Sequence, residues 1–103
     1  MTAPHLSLPS ERVAEICRRY QIQKLSLFGS AARDDFRADS DVDFMVEFEP
    51  GAAPSLFGLA DLQEELSVLA GHRKVDIATS SILENPFRRK TILRDIKAIY
   101  AAP

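Results

Sequence analysis

Between Asp41 and Glu49 the chain alternates: Val42, Phe44, Val46 and Phe48 take one parity, and Asp41, Asp43, Met45, Glu47 and Glu49 take the other. Successive side chains of a strand leave opposite faces, so a period of two demands a half-buried β-strand with its acids outward. A strand cannot bury its apolar face alone, and the rest of the chain must supply partner strands and a helical layer. A chain of 103 residues can bury roughly two-thirds of its unfolded surface, enough for one core but little to wall off a deep pocket. Residues 1–103 are therefore expected to form a single domain whose site is open or completed by a partner.

The flanking segments supply that layer. Behind Ser10, a residue suited to N-capping, Val13, Ile16, Cys17 and Tyr20 repeat at helical spacing and predict a helix over about 10–20. Lys24 to Phe28 predicts a short strand that stops at Gly29, with one or two helical turns over Ser30 to Asp35. Pro50, Gly51 and Pro54 break the alternating strand. Leu59, Leu62, Leu66 and Leu69 then mark an amphipathic helix over about 55–70, closed by Gly71. Lys74 to Ala78 predicts a third strand, with Val75 and Ile77 on one face and Asp76 on the other. Pro86 suits a helix start, and Ile92, Leu93, Ile96, Ile99 and Tyr100 predict the apolar stripe of a closing helix, flanked by a solvated basic stripe of Lys90, Arg94 and Lys97. The expected fold class is α+β in the order α-β-α-β-α-β-α. Its small mixed sheet should carry helices on one face, the side of Val42, Phe44, Val46 and Phe48.

Charge narrows the function. Lys and Arg number 13 against 15 Asp and Glu, a net of −2, which argues against direct nucleic-acid binding by this chain alone. The charge is uneven, however: from Asp34 to Glu49 there are seven acids and one base, Arg37. The lone Cys17 can form no intrachain disulfide and reads as a small buried apolar residue. No apolar run approaches the roughly 18 residues of a membrane span, and no charged-then-apolar signal pattern opens the sequence. The expectation is a cytoplasmic protein without a membrane partner, and a homo-oligomer is compatible with it. Glu47 and Glu49 read as solvent or edge-protection charges, and His5 and His72 as surface histidines.

Asp41 and Asp43, two apart on a strand, share a face with Cα atoms roughly 6.5–7 Å apart. Two anions that close repel unless a cation lies between them, and Mg²⁺ prefers a few carboxylates plus waters and substrate phosphates. With Asp76 from a neighbouring strand, three carboxylates can hold two metals, roughly 3.5–4 Å apart, for an in-line phosphoryl or nucleotidyl transfer. Gly29 and Ser30 supply the donors such a reaction needs, because a glycine turn lets backbone N–H groups approach phosphate oxygens and Ser30 adds a hydroxyl. For Gly29 to face Asp41 across so short a link, the first two strands should be antiparallel.

Leu27-Phe28-Gly29-Ser30, then Ala32-Arg33, then Ser40-Asp41-Val42-Asp43-Phe44 resembles the signature of the DNA polymerase β-like nucleotidyltransferase superfamily. The resemblance is closest to its minimal nucleotidyltransferases (MNT), commonly antitoxins of HEPN/MNT toxin–antitoxin modules. It extends from the first helix through Lys74-Val75-Asp76-Ile77 to Ile92-Leu93-Arg94-Asp95. The resemblance implies a polymerase β-like nucleotidyltransferase fold, phosphate binding by Gly29 and Ser30, two Mg²⁺ ions on Asp41 and Asp43, and Asp76 completing one metal site and helping to deprotonate the acceptor. It also implies ATP as nucleotide substrate, Arg33 as a phosphate contact, and transfer of AMP to a tyrosine of a partner HEPN ribonuclease toxin. Many relatives carry Gly after that arginine, where this chain has Asp34. Two rivals stand beside this reading: an antitoxin that neutralises the HEPN toxin by contact alone, and a haloacid dehalogenase-type phosphotransferase. The second fits less well, because Asp39 and Ser40, rather than an apolar strand, precede Asp41.

Overall fold

The computed structural model describes residues 2–3, 6–32 and 40–103. Two short strands paired antiparallel, β1 (Thr2–Ala3) and β2 (Leu6–Ser7), precede helix α1 (Ser10–Arg19) and strand β3 (Ile22–Phe28). A 3₁₀ turn (Gly29–Ala32) ends β3, and β4 (Val42–Phe48) is the alternating segment. Helix α2 (Leu56–Leu69), β5 (Val75–Thr79), a second 3₁₀ turn (Ser80–Glu84), helix α3 (Pro86–Asp95) and β6 (Lys97–Ala101) follow.

Strand order in the main sheet is β5-β4-β3-β6. β3 pairs antiparallel with β4, as the short link requires, and with β6, whereas β4 and β5 run parallel with α2 as their crossover. The class and the mixed sheet are those expected from the sequence. Val42, Phe44 and Val46 lie at 1% exposure or less, packed with Val13, Ile16 and Cys17 of α1 and Leu62, Leu66 and Leu69 of α2. The helix termini follow their side chains. The Ser55 hydroxyl accepts from the Gly58 amide, and the Asn85 carboxamide accepts from the Phe87 and Arg88 amides, with Pro86 at the first helical position.

Three local expectations are corrected. The cap position of α1 is Pro9, and Ser10 is already helical. The closing helix stops at Asp95, because Ile96 turns extended at ψ 139° and Lys97–Ala101 pairs with the otherwise open edge of β3. Ile99 and Tyr100 thus pack from a strand against the main core, and Lys97 leaves the basic helix stripe. Finally, the helices do not keep to one face: Ile92 of α3 buries Phe28 and Met45 on the opposite side, which is why Met45 is 1% exposed despite sharing its parity with the acids. No helix among the described residues is long and apolar enough to cross a membrane.

Candidate active site

Strand pairing brings distant residues to one end of the sheet. The β3–β4 register sets Phe28 opposite Asp43, so Gly29 follows directly beside that carboxylate. The parallel β4–β5 register sets Asp43 beside Asp76. Because Val42 and Phe44 point into the helix layer, Asp43 leaves the other face, half-buried, and Asp76 is exposed.

Gly29 is required here for two reasons. Its φ is +67°, a left-handed conformation that side chains oppose, and a Cβ at this position would lie 2.5 Å from Asp43 Oδ2. The backbone therefore approaches the carboxylate more closely than any other residue type allows. Ser30 sits half-buried in the same 3₁₀ turn. Asp41, just before β4, is exposed, and its Oδ2 lies 3.9 Å from Lys74 Nζ, while the Val42 amide donates to the Lys74 carbonyl at 2.9 Å. Lys74 was not singled out from the sequence, since only the β4–β5 pairing brings it to Asp41. Arg33, Asp34 and His5 lie outside the described residues.

The structure thus gathers Gly29, Asp43 and Asp76, with Asp41 one strand step away beside Lys74. Among the described residues no three His, Cys, Asp or Glu side chains form a ready-made metal group. Mg²⁺ does not need one, since it takes one or two carboxylates and leaves its other positions to water and substrate phosphate. Register-adjacent Asp43 and Asp76, with the Gly29 backbone drawn up against Asp43 Oδ2, fit a cation site shared with a phosphate ligand. Cys17 offers no competing chemistry: burial pushes its thiol up to about 12, and it is fully enclosed. His72 is exposed in the turn after α2.

A family model described as Nucleotidyltransferase domain matches residues 10–99. The chain belongs to that family. This nucleotidyltransferase is 38% identical over 82 residues to the protein adenylyltransferase MntA of Thermococcus cleftensis, covering 80% of this chain and 79% of the relative. It is also similar to a solved candidate minimal nucleotidyltransferase, at 36% identity and TM-score 0.66 over 85% of this chain and 86% of the other. A crystal structure of a toxin–antitoxin with AMP-PNP shares the fold at TM-score 0.68 and 18% identity, over 92% of this chain and 75% of that one.

Proposed function

We propose that this nucleotidyltransferase transfers AMP from ATP to a tyrosine hydroxyl of a partner HEPN ribonuclease toxin in the cytoplasm, and so acts as its antitoxin. The observation that carries the reading is Gly29 held against the Asp43 carboxylate, with Asp76 as the next register partner. The likeness to MntA and to a nucleotide-bearing toxin–antitoxin supports the donor and the kind of partner.

In this reading Gly29 and Ser30 receive the triphosphate through backbone N–H groups and the serine hydroxyl, and Arg33 adds a cation for the phosphates. Asp41, Asp43 and Asp76 would hold two Mg²⁺ ions jointly with phosphate oxygens, which supplies charge neutralisation at the phosphates when they are bound. The tyrosine oxygen forms a bond to the α-phosphorus as the bond from that phosphorus to the bridging oxygen breaks. Pyrophosphate leaves with the electron pair, and the hydroxyl proton passes to the Asp76 carboxylate. The open site suits a macromolecular acceptor.

The test is the intact mass of a HEPN partner after incubation with this protein, ATP and Mg²⁺, beside an Asp41→Asn/Asp43→Asn double variant. Gain of one or more AMP units, lost in the variant, supports the reading. No gain while the two proteins remain tightly bound overturns catalysis for that partner and leaves neutralisation by contact.

A further inference from the structure

β5 is the last strand of the sheet, and beside its outer edge a cavity of about 370 Å³ opens between the strand and α2. Its walls include Leu56, Leu59, Ala60, Asp76 and Ile77, so the residue assigned above to the acceptor proton also lines this cavity. Leu56, at 84% exposure, stands at its rim with Phe57 next to it at the same exposure. Asp76 is the single ionisable group in the lining, which suits a neutral, largely apolar visitor.

The backbone geometry says what kind of visitor. The Lys74 carbonyl turns toward β4 to accept from Val42, so alternation directs the polar groups of Val75 and Ile77 to the outer edge. Gln63 already donates to the Val75 carbonyl from outside, showing that this edge accepts hydrogen bonds from a non-strand partner. An extended peptide adds to such an edge through main-chain hydrogen bonds and seats alternate side chains in adjoining pockets.

In-line displacement adds a direction. With the triphosphate received at Gly29, in the turn that ends β3, pyrophosphate departs on that side, and the attacking hydroxyl must come from the opposite side of the α-phosphorus. Across the sheet from β3, past Asp43 on β4, that side is the β5 edge.

Building on the nucleotidyltransferase reading of the site, we infer that the acceptor enters as an extended peptide segment on the outer edge of β5. Its main chain pairs at Ile77, an apolar side chain seats against Leu56, Leu59 and Ala60, and its hydroxyl meets Asp76. The bond changes are those given above, and the groove determines which hydroxyl is presented.

The probe is the neutral peptide acetyl-Gln-Val-Tyr-Leu-Gln-amide with ATP and Mg²⁺, read by peptide mass, amide-exchange protection at Ile77, and ATP binding. Ala60 is exposed on α2, so Ala60→Arg fills the groove without opening the core. Val68→Lys on another side of α2 is the control. The unaltered protein and Val68→Lys should adenylylate the peptide and protect Ile77. Ala60→Arg should lower transfer by at least about tenfold, through lost positioning, with ATP binding intact. Equal transfer by Ala60→Arg, or ATP binding with neither peptide transfer nor Ile77 protection, overturns the groove and leaves the nucleotidyltransferase reading standing. Failure to bind ATP at all overturns both.

Discussion

Two groups of acids in this molecule live under opposite rules. On the helix layer, Glu65 of α2 meets the Arg19 guanidinium and the Tyr20 hydroxyl, so one carboxylate is matched by two donors. At the sheet end, Asp43 and Asp76 are register neighbours, and the Gly29 backbone lies so close to Asp43 that a Cβ there would meet Oδ2. The first arrangement closes on itself and joins α1 to α2. The second sets two acids side by side across a strand pair, an arrangement that the proposed metal-bearing nucleotide would use.

The sharpest way to break the contrast is to neutralise the acid at the sheet end and to remove a donor from the acid on the helix side. If the proposed reaction holds, Asp43→Asn should lower AMP transfer on the order of 10³-fold or more, because the metal ions it would help hold lose a carboxylate. Measured by intact mass, a variant that retains wild-type transfer would remove Asp43 from the site. Gly29→Ala comes next. Its Cβ meets Asp43 Oδ2 at 2.5 Å and its φ is +67°, so we expect about 10²-fold lower transfer from the displaced carboxylate and roughly 1 kcal/mol of lost stability. Gly51→Ala, at φ +77° with nothing within 4 Å, should show only the stability loss in a thermal melt. If both variants transfer AMP alike, proximity to Asp43 is irrelevant.

On the helix side, Tyr20→Phe should cost about 1 kcal/mol of stability and leave AMP transfer unchanged. Burial first, and then the hydrogen bond to Glu65, pushes the Tyr20 hydroxyl up to about 12. A group raised on folding stabilises fully below its unfolded value of 10.0, so the gap between wild type and variant should persist to pH 10 and close as pH rises through about 12. Glu65 is held below its ordinary value by the Arg19 hydrogen bond, with Tyr20 adding to it. Its contribution should therefore be present above 4.5 and fade as pH falls below that value. Chemical denaturation across this range checks both signs. The smallest effect belongs to Cys17: buried and raised to about 12, it should resist alkylation in the native protein at pH 8, as read by mass, and react once unfolded.

Most of the site's ingredients were legible because they are local. The alternation around Asp43, the glycine stop at Gly29 and the Pro86 helix start each follow from a few consecutive residues. The end of α3 was not legible. Ile92, Ile96, Ile99 and Tyr100 satisfy helical spacing, and only the open hydrogen-bonding edge of β3 makes Lys97–Ala101 a strand. Met45 was misjudged for a related reason: its parity says solvent, and Ile92, far along the chain, says core.

By itself the sequence determined the strand carrying Asp41 and Asp43, the glycine turn and the antiparallel link between them, since period, turn chemistry and a short loop are properties of neighbouring residues. Tertiary structure alone decided that Asp76 lies beside Asp43, that Lys74 reaches Asp41, and that β6 closes one edge of the sheet while the outer edge of β5 borders a groove. Those outcomes depend on register and on which backbone groups find partners, and both are settled only when segments distant in the chain pack together.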